Sequence, residues 1–324
     1  VFAADSQQAF DLVRRADRIL IITHISPDGD AIGSLLAMGH LVRQLDKTQI
    51  VLALDDGVPD KYLFLPGSAD VVTEAGGAFD LVIILDCSDD RRGGEVLRNS
   101  WRDGTPLINI DHHITNTEFG TINLVRLDAA ATAQIIYWLA QEWGLAVDEE
   151  IALCLLTGVV TDTLCFRTAN VTPKVMNDAA ALMQAGADLS TVTRQTVNRK
   201  SYAAIRYWGA MLDTVHLEDR VIWAVASNGI REHAGYHSNG DASLVSFLAT
   251  AWEADIAFTL TETDEGRVEV SMRAKPGFDV SGIALELGGG GHPAAAGATI
   301  DGPLLEATER VLARVKAAHQ EQSE

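Results

Sequence analysis

The sequence predicts an α/β protein in two parts: an N-terminal doubly wound, mainly parallel sheet, then a second, smaller mixed α/β domain. Three observations carry that expectation. Five short β-branched and aliphatic runs alternate with stretches of helical period through the first part of the chain. At 324 residues the chain exceeds the size at which a single hydrophobic core stops growing. A polar, helical stretch without strand signal, Asp188 to Asp213, separates the alternating region from a second set of strands.

In chain order, the strand runs are Ile19 to Thr23, Ile50 to Leu54, Leu81 to Leu85, Leu107 to Ile110 and Ile122 to Val125. Each is apolar almost throughout rather than alternating, as strands buried on both faces are, and that points to a parallel sheet. Helical period appears in Ala31 to Leu45, Ala129 to Trp143 and Glu149 to Val160. A further helix, Pro173 to Gln184, has Pro173 near its start and Gly186 after its end. The connector carries Arg194, Asn198, Arg199, Lys200 and Arg206. Beyond it come strands at Val221 to Ala226, Ile256 to Thr261 and Val268 to Met272, with helices near Asp241 to Thr250 and Leu304 to Ala318. The expected division is therefore a first domain over 1–187, a helical linker over 188–213 and a second domain over 214–324. No repeat period is present that would indicate a solenoid.

Composition narrows the function classes. Apolar residues make up 47% of the chain and charged residues 22%, the balance of an ordinary globular protein. No apolar run approaches the roughly 20 residues of a membrane span, so no membrane is expected as a partner. Val1 to Ser6 lack the basic and apolar regions of a signal peptide. Cys87, Cys154 and Cys165 show no metal or redox spacing and cannot all pair, which fits a cytoplasmic location. Lysines and arginines number 25 against 45 acids, a formal charge of −20, and long duplex nucleic acid would be repelled by most of such a surface. A small polyanion received locally remains compatible with that charge. Composition leaves a homodimer open.

Four segments carry chemistry. The first strand runs into His24, Ile25, Ser26, Pro27, Asp28, Gly29 and Asp30 just before a helix. Taken alone, Asp30 would serve as that helix's cap and Asp28 as a turn initiator. The third strand ends in Asp86, at the carboxyl edge where open α/β sheets bind ligands. The fourth ends in Asp111, His112 and His113, and the helix from Glu149 leads into Asp162. Together His24, Asp28, Asp30, Asp86, His112 and Asp162 offer oxygen and imidazole donors and no thiolate. That set suits manganese first, with magnesium or cobalt as alternatives, over structural zinc. It also exceeds what one tetrahedral ion requires, so two divalent ions are expected, with a carboxylate bridging them and a shared hydroxide attacking phosphorus.

These residues resemble the DHH phosphoesterases, a family named for the triplet found here as Asp111, His112 and His113. The resemblance covers nearly the whole chain: H-I-S-P-D-G-D-A-I-G-S from His24 to Ser34, the strand-end Asp86, the Asp-His-His triplet, and T-G-V-V-T-D-T from Thr157 to Thr163. It implies one metal on His24, Asp28 and Asp86, and another on Asp30, Asp86, His112 and Asp162. His113 is then a phosphate contact, and Asp111 orients a neighbouring histidine. The distal segment Leu287 to Gly297 resembles the G-G-G-H-x-x-A-A-G motif of the DHH-associated domain. Gly288, Gly289, Gly290 and Gly291 are expected to form a backbone nest for an anion, followed by His292. Arg273 corresponds to an arginine that grips substrate phosphate, with Ala274 after it where a serine is common.

Stand-alone members of this kind degrade very short RNAs and remove the 3′-phosphate of adenosine 3′,5′-bisphosphate. The expected partner is therefore a short single-stranded oligonucleotide or a nucleotide bisphosphate that bridges the two domains. Linear or cyclic dinucleotides such as pApA and c-di-AMP remain alternatives, then inorganic pyrophosphate, then a non-catalytic nucleotide-binding role.

Overall fold

The computed structural model describes residues 2–47 and 49–323. The chain forms two units, Val1–Arg199 and Lys200–Glu324. In the first unit the elements follow in the order α1 (Phe2–Arg15), β1 (Arg18–Thr23), α2 (Gly29–Arg43), β2 (Gln49–Ala53), β3 (Leu81–Leu85) and α3 (Gly94–Ser100). Then come β4 (Leu107–Asp111), β5 (Ile122–Val125), α4 (Thr132–Glu142), α5 (Glu149–Asp162), α6 (Pro173–Gln184) and α7 (Leu189–Gln195).

The five strands form one sheet in the order β2-β1-β3-β4-β5, parallel throughout. Their unbroken apolar character has a direct cause. Ile19, Ile21, Leu81, Ile83 and Leu85 enter a core packed by helical residues such as Leu35, Ile136 and Leu155. Leu20, Ile22, Val82 and Ile84 enter a second core with Phe79, Val96 and Leu97 on the opposite face. Strand order reverses direction between β1 and β3, and ligand crevices form beyond the carboxyl ends of strands at such a point.

Helix α2 is buried on nearly every side because it lies against α5 at very short range. A Cβ on Gly33 would stand 2.4 Å from the Cys154 carbonyl oxygen, and one on Gly158 would stand 2.6 Å from an Asp30 carboxylate oxygen. Glycine at both positions permits the approach. It brings the start of α2 and the end of α5 to the same place.

The second unit contains α8 (Tyr202–Leu212), β6 (His216–Glu218), β7 (Val221–Ala226), α9 (Asn228–Ala234), α10 (Leu244–Leu248) and β8 (Ile256–Glu262). It continues with β9 (Val268–Ala274), α11 (Ser281–Glu286), β10 (Gly290–His292), β11 (Ala295–Ile300) and α12 (Leu304–Ser323). Its sheet runs β10-β11-β9-β8-β7-β6, parallel only between β7 and β8. One face, with Trp223, Phe258, Val270 and Met272, packs on Val311 and Val315 of α12. The other is covered at β7 and β8 by Tyr207, Met211 and Leu244. On β9 and β11 that second face carries Glu269, Ser271, Arg273, Gly297 and Thr299, all at least partly accessible.

The stretch expected as one polar connector, 188–213, contains a helix of each unit. Helix α7 closes the first core through fully buried Val192, while α8 inserts Tyr207 and Met211 into the second. No described helix is long and apolar enough to cross a membrane.

Candidate metal centre

The turn from β1 into α2 is held from both sides, because the Ile25 N–H donates to the Arg92 carbonyl and the Ser26 N–H to the Asp56 carboxylate. It presents His24, which is almost fully buried. The two following acids divide their work differently from the simple capping expectation. Asp28 is the cap of α2, its Oδ1 accepting from the Asp30 and Ala31 N–H groups at 3.0 Å. Asp30 reaches across to another helix. Its carboxylate accepts from the Thr132 N–H at 2.6 Å and the Ala133 N–H at 2.9 Å, at the start of α4, whose own cap residue Ala131 has no capping side chain. The positive end of α4 thus supports a fully buried carboxylate.

Asp86 follows β3 with a φ of 55°, a left-handed conformation that is costly for a non-glycine residue and is concentrated at functional sites. Its side chain lies 3.6 Å from His24 Nε2, 3.6 Å from His112 Nε2 and 3.6 Å from His113 Nδ1. Thr132 Oγ1 donates to Asp86 Oδ1 at 3.0 Å. Burial acts to raise the Asp86 carboxyl, but the three surrounding histidines hold it at about 2.

At the end of β4, Asp111 accepts from His113 Nδ1 at 2.7 Å, Asn116 Nδ2 at 2.6 Å and the His112 N–H at 2.8 Å. Its oxygens are thus engaged with neighbours, which suits an orienting group. Burial opposes charge on His113, yet the Asp111 hydrogen bond and the charges of Asp86, Asp111 and Asp162 raise it to about 9. Burial pulls His112 the other way. Among the described residues His112 Nε2 is buried with no hydrogen-bond partner, while carboxylate oxygens of Asp86, Asp162 and Asp30 stand 3.6, 3.7 and 3.9 Å away. A buried, unsatisfied nitrogen facing three carboxylates is what a cation would satisfy.

The acids themselves say the same. Burial, then the charges of Asp86 and Asp28, pushes Asp162 to about 7. Burial, then Asp86 and Asp162, raises Asp30 well above the ordinary carboxylate range. Positive charge among them would reverse both shifts. Donor atoms of His24, Asp28 and Asp86 lie within 4.8 Å of one another, as do those of Asp30, His112 and Asp162. The cluster can hold metal ions. Cys87 takes no part, since burial raises its thiol to about 12 and Sγ bonds to the Asp89 carbonyl.

Thr132, Asn116 and Arg92 escaped the sequence reading although they contact Asp86, Asp111 and His24. Asn116 lies five residues past Asp111, and Thr132 opens the helix after the Ala129 to Ala131 run. Neither pattern signals a ligand support by itself.

In the second unit, half-buried Arg273 makes its one side-chain hydrogen bond to the Met272 carbonyl of its own strand, and it has no ion pair among the described residues. The expected glycine nest needs correction. The Gly288 and Gly289 N–H groups donate to the carbonyls of Leu285 and Ala284, closing α11, so neither is directed at an anion. Gly290 and Gly291 are strand residues opposite Gly297 and Ala296, and exposed His292 stands opposite Ala295. Close packing accounts for two of the four glycines, because a Cβ on Gly289 would lie 2.1 Å from the Gly297 carbonyl oxygen and one on Gly291 2.5 Å from the Ala296 Cα. Gly288, Gly289 and Gly297 border an open cavity of about 450 Å³ with Arg267, Ser271 and Thr299.

The chain is similar to known proteins in sequence and in fold. Residues 18–159 match the DHH family, N-terminal domain, and residues 219–321 match the DHHA1 domain. A bifunctional oligoribonuclease and PAP phosphatase NrnA of Thermus thermophilus is 36% identical over 304 residues, covering 92% of this chain and 89% of that one. A probable manganese-dependent inorganic pyrophosphatase of Streptococcus mutans is 30% identical over 185 residues, 53% of this chain and 57% of its own. The crystal structure of an exopolyphosphatase-related protein from Bacteroides fragilis superimposes with a TM-score of 0.91 at 24% identity, over 99% of this chain and 98% of that one. The domain matches and the long similarity to the Thermus protein show that this chain belongs to the DHH family of phosphoesterases, with a DHHA1 domain after its DHH domain.

Proposed function

We propose that this protein hydrolyses short single-stranded oligonucleotides and adenosine 3′,5′-bisphosphate, using two divalent ions, manganese in the first instance. The observation that carries the reading is the pair of donor sets on either side of Asp86, with the orphaned His112 nitrogen in one of them. His24 and Asp28 would hold one ion, Asp30, His112 and Asp162 the other, and Asp86 would bridge. When bound, such ions supply an activated water and neutralise phosphate oxygens. The protein's own groups do the rest. Asp111 fixes the His113 ring through a 2.7 Å hydrogen bond to Nδ1 and favours its protonated form, which leaves Nε2 to donate to a phosphate oxygen. Thr132 holds Asp86 in one rotamer. The oligoribonuclease and PAP phosphatase activities of the Thermus relative support the substrate class, and the manganese dependence of the probable pyrophosphatase from Streptococcus supports the metal.

In the second unit, Arg273 is the proposed phosphate contact and His292, exposed at the hairpin, a nucleotide contact. Net charge −20 supports short substrates over long duplexes, and three free cysteines support a cytoplasmic setting. Turnover of short RNA, short DNA, adenosine 3′,5′-bisphosphate, pApA, c-di-AMP and pyrophosphate with manganese tests the reading. Short RNA and the bisphosphate should be the preferred substrates. Preference for pyrophosphate, or turnover of none, would overturn it.

A further inference from the structure

Arg92 lies beside the ligand set without belonging to it. Its N–H donates to Asp89 Oδ1 at 3.1 Å and its carbonyl accepts from the Ile25 N–H at 2.8 Å, so its backbone is fixed against the turn that carries His24. Its Nη2 stands 2.9 Å from His24 Nδ1. Among the described residues the guanidinium has no carboxylate at ion-pair distance and no other side-chain hydrogen bond. Half-buried Arg18 and Lys275 also have no carboxylate partner among the described residues, but both donate to backbone carbonyls, whereas the Arg92 guanidinium has only the one ring nitrogen. An anion that comes and goes would explain it.

The contact with His24 is of a kind that can be switched. His24 Nδ1 is also 2.7 Å from the Ile25 carbonyl oxygen. One ring nitrogen either carries a hydrogen and donates to that carbonyl or presents a lone pair and accepts from Arg92, never both. When Nε2 lends its lone pair to a cation beside Asp28 and Asp86, the hydrogen must reside on Nδ1. The bond to Ile25 then persists, and Arg92 faces another N–H. It loses its acceptor, and its planar fork of donors, suited to two phosphate oxygens at once, becomes available next to the ligand set.

We propose that Arg92 is a substrate-phosphate contact of the first unit, resting on His24 Nδ1 and released to bind a phosphate oxygen once His24 engages a metal through Nε2. The inference rests on the phosphoesterase reading above. It differs from a purely structural role in sign: Arg92 competes with metal loading and assists phosphate binding, whereas a mere support for His24 would assist both.

The test uses the full-length protein with Arg92→Ala and Arg92→Lys, both checked by thermal melting. Manganese affinity is measured calorimetrically without substrate, and inorganic phosphate is measured as an inhibitor of dinucleotide turnover. Arg92→Ala should bind manganese at least as tightly as the native protein, up to about tenfold tighter, and phosphate about tenfold more weakly. Arg92→Lys should recover part of the phosphate affinity, since it keeps the charge and loses the fork. Manganese binding weakened in parallel with phosphate binding would overturn the proposal in favour of simple support of His24. Phosphate inhibition unchanged within about twofold would overturn it outright. If the native protein turns over no phosphoester, the underlying reading fails first, and the two failures are told apart.

Discussion

The first unit gathers His24, Asp28, Asp30, Asp86, Asp111, His112, His113 and Asp162 at the ends of β1, β3, β4 and α5, and buries His24, Asp30, Asp86 and Asp111. The second unit places Arg273, Ser271 and Thr299 on a sheet face that its helices leave uncovered. Mutual charge repulsion, a left-handed Asp86 and an unsatisfied His112 nitrogen mark the first region as strained until cations arrive. In the second, the main polar feature is Arg273, a cation that bonds to a backbone carbonyl and has no ion pair among the described residues. On the proposed reading one unit holds metal and does the chemistry while the other receives an anion, so losses in the two should have different kinetic signatures.

The largest effect is expected at Asp86, which stands within 3.6 Å of histidines belonging to both donor sets. Asp86→Ala should lower kcat by at least about a thousandfold at saturating manganese, as loss of transition-state charge stabilisation from both ions requires. Near-native turnover would erase the distinction between the units. Arg273→Ala should act on KM instead. A charge-assisted contact of about 1.5 to 3 kcal/mol corresponds to a rise of about 10- to 100-fold, with kcat little changed. An equal fall in kcat would place Arg273 in the chemistry and blur the comparison.

The smallest effect is a pH dependence confined to the first unit. Asp162 without metal titrates at about 7, raised from 3.8, and a ligand carboxylate must be ionised to bind. Manganese affinity should therefore be fully developed above pH 7 and fall by up to about tenfold per unit below it. For an acid whose folded-state value is raised, stability runs the opposite way. The metal-stripped fold should lose stability as pH rises from about 4 through 7, and manganese should restore it. Calorimetric titrations and melting curves at pH 6 and 8 check both signs.

How much of this was legible in the sequence depended on the range of the forces involved. The strands of the first sheet stood out because burial on both faces makes them continuously apolar, and the ligand residues stood out because they sit at strand and helix ends. Helix α1, with a polar face along residues such as Asp5, Gln8 and Asp11, gave no such signal. The glycine run reads as a loop because glycine carries no strand signal, yet pairing with β11 makes part of it a strand. The connector was split by burial of Tyr207 and Met211, which only the second core reveals. Asp28 and Asp30 exchanged the expected capping role because Asp30 finds its donors in α4, about a hundred residues away, a partnership no local pattern encodes.

The central claim, a two-ion centre within the first unit, is tested most directly by manganese titration of the metal-stripped protein followed by electron paramagnetic resonance. The account predicts two ions per chain, spin-coupled in the native protein and uncoupled or reduced to one in Asp86→Ala. A single isolated ion in the native protein, or an unchanged coupled pair in Asp86→Ala, would contradict it.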